Sequence, residues 1–321
     1  MSCYNAARWL DMAIASVLNQ TFSDFEFIVI DDGSVDKTLE VIQRYAVQDP
    51  RIVVIAKPNS GLSDSLNVGI ERARGEWIAR LDADDICEPT RLQKQFELSL
   101  ANPSLVFIGT GLTIIDGDGK KFKTHLYPRS HTALLRNLTT GRKFPPHSSA
   151  FYSTKAVKSV GGYRNRLMRA EDWDLWLRLS EVGELSALSE PLLQIRKHVD
   201  QISHTEGGSR QVLDSKMATI AYLVRRLKFP DPLINDQAGF ELFEGWVRTR
   251  LEEVGFLATQ LHVIRLRACF EAIRFPHGIL KLTGTFLGKP CHTFRFFQQR
   301  IAGESISRSL AEEWIKISKA S

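Results

Sequence analysis

The chain has 321 residues, 43% of them hydrophobic and 25% charged, with a formal net charge of +5. This balance excludes a disordered or fibrous polymer, and the length suffices for one large domain or two modest ones with a sizeable core. No apolar run reaches the length of a membrane span, residues 1–5 carry no cationic leader, and Cys3, Cys87, Cys269 and Cys291 have neither disulfide-framework nor metal-ligand spacing. Reduced thiols in a cytoplasmic protein are the expectation.

In chain order, residues 6–20 place Leu10, Ala13, Ile14, Val17 and Leu18 at helical spacing. Residues 25–30 form an almost continuous apolar run, the mark of a strand buried on both faces of a parallel sheet, and that run ends in Asp31-Asp32-Gly33-Ser34. A helix is predicted over 36–45, a strand over 52–56, a loop at Asn59-Ser60-Gly61 and a helix over 63–74. The next strand, 77–81, is apolar but for Arg80 and stops at three carboxylates, Asp82, Asp84 and Asp85. A helix over 91–101, a strand over 105–110 and a hairpin over 113–127, turning at Asp116-Gly117-Asp118-Gly119, follow. Residues 170–179 then read as a helix whose first turn carries Glu171, Asp172 and Asp174. Alternating strands and helices predict an α/β sheet with ligands at the carboxyl ends of its strands.

From residue 209 the texture changes to long helical patterns over 212–227, 240–256 and 259–275. We therefore expect an α/β domain over 1–208 and an all-helical extension over 209–321. The basic surplus lies in the extension, with 17 Lys and Arg against 11 Asp and Glu over 210–321. Within it, residues 278–301 mix Phe286, Phe294, Phe296 and Phe297 with Lys281, Lys289, Arg295 and Arg300. That pattern suits peripheral contact with an anionic membrane, or equally the core and solvated face of a helical appendage. No recognition motif accompanies the modest positive charge, which argues against nucleic acid.

Asp82 and Asp84 stand two residues apart, so an extended chain points both carboxylates to one side, whereas Asp85 turns away unless the backbone bends. Acids so close raise one another's pKa and call for positive charge between them, for which a hard divalent cation is the simplest candidate. Each acidic cluster also has a plain structural reading. Asp31 to Ser34 are turn formers, Asp82 to Asp85 can cap the following helix, and Asp172 suits a helix amino terminus.

Tyr4-Asn5, Ser16 to Phe22, Phe25 to Ser34, Asn67 to Ile70, Ala79 to Asp85 and Glu171 to Trp176, in that order, resemble the family 2 glycosyltransferases of the GT-A fold over roughly residues 1–205. The resemblance implies a mixed sheet flanked by helices and an inverting, single-displacement transfer of a sugar from a nucleotide-diphosphate donor, often UDP-linked. It also implies a divalent metal, Mn²⁺ or Mg²⁺. Position by position, Ser2 and Tyr4 fall on the base pocket and Asp32 on the acid that bonds the base. Asp82 and Asp84 match the DxD pair for donor and metal, and Asp85 is a third possible metal ligand. Asp172 matches the general base, with Glu171 beside it, and Arg196 and His198 fall on a basic segment facing the diphosphate. The implied acceptor is a saccharide or lipid-linked saccharide in cell-surface polysaccharide or lipopolysaccharide assembly, on the cytoplasmic face of the membrane. One departure is that such proteins begin with an apolar strand leading into the Tyr-Asn pair, whereas here only Met1-Ser2-Cys3 precede Tyr4. The competing expectation is therefore a non-catalytic nucleotide-sugar-binding or scaffold protein lacking that strand.

Overall fold

The computed structural model describes residues 1–198, 208–234, 236–253 and 306–318. The chain divides into two compact units. One comprises Met1–Asn137, Lys143–Asn165 and Leu175–His198, and the other Leu138–Arg142, Arg166–Asp174 and Val199–Ser321.

The first unit is α/β and holds two sheets. β1 (Ser2–Cys3), β2 (Phe27–Asp32) and β3 (Ile52–Lys57) are parallel, in the order β1-β2-β3. They are joined through α1 (Ala7–Leu18) and α2 (Thr38–Gln48), and α3 (Leu62–Arg72) follows β3. Leu10, Ile14 and Val17 on α1 pack with Phe27 and Val29 of β2 and with Ile42 of α2. Burial of that apolar stripe holds the helices on the sheet, because none of the three has a side-chain cap at its amino end.

The second sheet is mixed. It runs β4 (Trp77–Ala79), β8 (Phe151–Ser153), β6 (Leu105–Ile115), β9 (Glu184–Arg196), β5 (Ile86–Cys87), with β7 (Lys121–His125) paired to the far half of β6. β6 is antiparallel to β7 and β8 and parallel to β9. It continues five residues past the predicted end at Thr110 because β7 and β9 take up the hydrogen bonds of its second half. α4 (Arg91–Ala101) has the predicted bounds. It is anchored by Arg91 and Gln95, both fully buried, which bond main-chain oxygens of Arg80, Ile108, Ser149 and Ala150. α6 (Thr154–Ser159) completes the helices that lie wholly in this unit.

β9 is the longest of the elements that sequence periodicity missed, the others being β1, β5, α5 (His131–Thr140), β8 and α6. Pro191 interrupts β9, and its register against β6 shifts at Gly111, opposite that proline. A side chain at Gly111 would come within 2.8 Å of the Glu190 carbonyl oxygen, so the shift needs glycine there.

The second unit contains α8 (Gly208–Arg226), α9 (Gln237–Glu253) and α10 (306–318). Phe243, Trp246 and Trp314 form its aromatic centre, with ring centroids 4.9 Å apart for Phe243–Trp314 and 5.2 Å for Trp246–Trp314. Two helices divide between the units. They are α5 (His131–Thr140) and α7 (Glu171–Leu179), whose first turn groups with the second unit. The helical pattern at 259–275 and the aromatic, basic stretch 278–301 lie outside the described residues. No helix among the described residues is long and apolar enough to cross a membrane.

Candidate active site

Two acidic clusters stand at carboxyl ends of strands in the first unit, and their surroundings differ. At the end of β2 the Asp pair lies within the strand rather than after it. Asp32 is buried and its carboxylate is fully engaged. Oδ1 meets the Lys57 ammonium and accepts from the Ser60 N–H at 3.0 Å, while Oδ2 accepts from the Gly61 N–H at 2.9 Å. Burial by itself raises its pKa, but these donors outweigh burial and the net displacement is downward. The Asn59 amide closes the same loop onto the Asp32 carbonyl at 2.9 Å. Gly33 permits that closure, since it has φ +73° and a Cβ there would sit 2.6 Å from the Asn59 nitrogen.

Asp31 points the other way. One oxygen accepts from the Ser34 N–H at 3.3 Å, and Oδ1 is buried with no hydrogen-bond partner among the described residues. Asp31 stands opposite Cys3 and Ile30 opposite Ser2 in the parallel register. Asn5, with φ 49°, accepts from the Val35 N–H at 2.9 Å and donates its own N–H to Ser34 Oγ at 3.0 Å. Ser2, Tyr4 and Asp32 thus share one strand-end region, and Tyr4 is exposed.

After β4 the chain bends, with the Asp85 N–H donating to the Asp82 carbonyl at 3.3 Å. The bend supplies the condition under which Asp85 joins its neighbours, and one oxygen from each of Asp82, Asp84 and Asp85 lies within 4.8 Å of the others. Asp85 is the buried member. It accepts from the Arg196 N–H at 3.1 Å, and burial first, then the Asp82 and Asp84 charges, push its pKa well above the usual carboxylate range. Asp84 Oδ2 lies 3.0 Å from His198 Nε2. Asp82 is partly exposed and forms an ion pair with Arg80, a buried guanidinium. Arg80 therefore already supplies part of the positive charge that the three acids require. In the sequence it stands out only as the polar exception in an apolar strand, and its two-residue spacing from Asp82 was the available signal.

Arg196 ends β9. Its guanidinium donates to the carbonyls of Asp116 and Gly117 at 3.0 Å each and of Asp84 at 3.3 Å, and lies 4.4 Å from the Trp9 ring centroid. It ties the β6–β7 turn to the acidic loop. His198 packs against the same Trp9, with centroids 5.6 Å apart. Beneath the cluster, Ser148 Oγ accepts from the Asp82 N–H at 3.0 Å. Half-buried His147 bonds the Tyr163 hydroxyl at 2.7 Å, and desolvation, then Arg80, hold its pKa well below the ordinary histidine value.

The donor set of Asp82, Asp84 and Asp85 fits a hard divalent cation. It offers three carboxylates, one of them buried among like charges, where a cation would relieve the repulsion. His198 adds an imidazole nitrogen beside Asp84.

Glu171 and Asp172 open α7 in the second unit, where Glu171 is buried and Asp172 Oδ1 accepts from the Trp173 N–H at 2.7 Å. The segment before them is pinned to α8 and α9. The Arg169 N–H donates to Asp214 at 3.2 Å, and the Arg166 guanidinium lies 5.0 Å from the Phe240 ring centroid. Asp214 is wholly buried and ion-paired with Arg210 at 2.7 Å, and burial raises its pKa to about 6 despite that partner.

Among proteins of similar sequence, chondroitin synthase of Pasteurella multocida is 30% identical over 201 residues, 62% of this chain. The match spans only 20% of that relative's own length. The O-antigen biosynthesis glycosyltransferase WbnJ of Escherichia coli is 33% identical over 202 residues, covering 62% of this chain and 78% of WbnJ. Among solved structures, Staphylococcus aureus TarS 1–349 in complex with UDP-GlcNAc aligns with a TM-score of 0.57 at 15% identity, over 99% of this chain and 90% of that one. The mannosyltransferase PcManGT of Pyrobaculum calidifontis, in complex with GDP-Man and Mn²⁺, aligns with a TM-score of 0.52 at 16% identity, over 96% of this chain and 85% of that one. At such identities the likeness shows the GT-A fold and nothing finer. The family model "Glycosyl transferase family 2" matches residues 1–161, half of the sequence, and the chain belongs to that family.

Proposed function

We propose that the protein is an inverting glycosyltransferase that moves a sugar from a nucleotide-diphosphate donor, UDP-linked by preference, to a saccharide or lipid-linked acceptor in cell-surface polysaccharide or lipopolysaccharide assembly. The observation that carries this reading is the gathering of Asp82, Asp84 and Asp85 within 4.8 Å at the end of β4, in a family 2 chain. Held by these carboxylates, a divalent cation would neutralise charge growing on the departing diphosphate. Asp84 is the principal ligand, and Asp82, oriented by Arg80, faces the donor. His198 borders the diphosphate side, and Arg196 shapes it by holding the Asp116–Gly117 turn. Asp32 orders the Lys57–Gly61 loop beside the base pocket, which Ser2 and Tyr4 line. Asp172, with Glu171 beside it, takes the proton from the acceptor hydroxyl as it attacks the anomeric carbon.

The names of the relatives support the pathway, since chondroitin synthase and an O-antigen glycosyltransferase both build polysaccharides. We further propose that residues 209–321 form a separate helical extension, that 278–301 touches the cytoplasmic face of a membrane, and that nucleic acid is not a partner.

The test is calorimetry and transfer assays over a panel of sugar nucleotides with Mn²⁺ or Mg²⁺. Asp172→Asn should keep donor affinity within about threefold while transfer falls on the order of 10²- to 10⁴-fold. Tight, metal-dependent UDP binding that survives Asp84→Ala would overturn the reading.

A further inference from the structure

Although the basic surplus of the whole chain falls in residues 210–321, residues 119–170 contain 12 Lys and Arg and no Asp or Glu. Like charges along such a stretch repel one another unless something negative answers them. Within the first unit, the densest part of it lies on one hairpin. β7 carries exposed Lys121 and Lys123 and half-buried His125, and exposed Lys120 precedes it. None of the three lysines has a carboxylate partner among the described residues. Asp116, in the turn before them, spends its carboxylate on the N–H groups of Asp118 and Lys120, at 3.0 and 2.8 Å.

The cations are also brought together. The Lys143 ammonium donates to His125 Nδ1 at 3.2 Å, and since an ammonium only donates, the neutral ring carries its proton on Nε2. Burial, then the charges of Lys143 and Lys123, lower the His125 pKa. Lys143 is held in place by the Asn137 side-chain amide, which donates to its carbonyl at 2.8 Å. Lysines on an edge strand keep other strands away, but that role does not require an ammonium packed against an imidazole. Between Lys121 and Lys123, Phe122 is the extra residue of a β-bulge, where the register slips opposite Ile114 and Ile115, and it is 41% exposed. The bulge re-aims the strand and presents an aromatic face amid the lysines.

The hairpin begins at the reaction centre. Arg196 bonds the carbonyls of Asp116 and Gly117 in its turn and that of Asp84 in the acidic loop, so β7 leads away from that loop. We propose that the exposed edge of β7 is the track for an anionic saccharide acceptor, whose carboxylate or phosphate groups meet Lys121, Lys123 and Lys143, with a sugar ring against Phe122. His125 Nε2–H donates to the same anions. This assignment rests on the transferase reading of the acidic loop and adds to it the charge of the acceptor. An anionic membrane would meet the same lysines, but the tie to Asp84 favours a chain that ends where transfer occurs.

The experiment measures binding of labelled oligosaccharides to the full chain by fluorescence anisotropy at low ionic strength, without donor or metal. The probes are tetragalacturonate, which carries carboxylates, a glycerol-phosphate tetramer, and neutral maltotetraose. At least one anionic probe should bind about tenfold more tightly than maltotetraose, and the tighter of the two identifies carboxylate or phosphate as the acceptor's charge. Lys121→Glu/Lys123→Glu should weaken that binding about tenfold. Arg72→Glu/Lys155→Glu, the same charge change at exposed positions of α3 and α6, should weaken it less than about threefold. No preference for either anionic probe would overturn the proposal, as would equal losses in the two double variants. So would binding to phosphatidylglycerol vesicles, in place of the oligosaccharides, that is lost with Lys121→Glu/Lys123→Glu. Because donor and metal are absent, a failure here leaves the transferase reading standing, and that reading fails instead in the donor calorimetry.

Discussion

The two acidic strand ends use the same residue for opposite purposes. Asp32 and Asp85 are both buried aspartates just past the apolar part of a strand. Asp32 meets an ammonium and two main-chain N–H groups and is held as an anion. Asp85 meets two further carboxylates, which with burial drive its pKa up. Burial therefore does not decide the state of a carboxylate, and the charge of whatever is buried with it does. The β2 end is electrostatically closed and serves to order a loop. The β4 end is short of positive charge even with Arg80 present and is the one suited to recruiting a cation.

If that contrast is right, substitutions at the two ends should fail in different assays. The largest effect is expected for Asp84→Ala, which removes a ligand of the open cluster. Transfer should fall about 10³-fold, with loss of metal-dependent donor binding by calorimetry and little change in unfolding midpoint. Asp32→Asn should do the reverse, leaving Lys57 without its anion and costing about 3 kcal/mol in urea unfolding at pH 7. Metal binding at the other cluster should be unaffected by it. Smaller again is Asp85→Asn, which should stabilise the metal-free protein by about 1 kcal/mol at pH 7 while weakening Mn²⁺ binding.

The pH dependences carry opposite signs. Asp32 has a lowered folded-state pKa, so its contribution is present above the unfolded carboxylate value and is lost as pH falls through the folded one. Asp85 has a raised one, so the metal-free fold loses stability as pH climbs from the unfolded value through the folded one. The stabilisation by Asp85→Asn should accordingly grow as pH rises above the ordinary carboxylate range and shrink when Mn²⁺ is added. A difference that does not change with pH would mean that Asp85 is not the strained member of the cluster.

Much of this contrast is legible in the order of residues, because both clusters announce themselves as acids after apolar runs. Their partners are not. Lys57 is 25 residues from Asp32, and Arg196 is 111 from Asp85. Only the pairing of β2 with β3 and the return of β9 beside β6 and β5 bring those groups in. β9 escaped detection because Pro191 and a shifted register break the two-residue alternation by which strands are recognised.

By itself the sequence determined the α/β class, the order of elements through α4 save the two-residue strands β1 and β5, the family and the positions of both acidic clusters. These follow from local periodicity and from residue types at fixed short spacings, which the chain carries wherever it folds. Tertiary structure decided that Asp85 bends in to join Asp82 and Asp84, that Arg80 pairs with Asp82, that Arg196 spends its guanidinium on backbone carbonyls, and that an apolar slot separates β2 from β4. Each is a matter of which distant groups share a small volume. A pKa, an ion pair or a cavity depends on that volume, and no stretch of sequence encodes it alone.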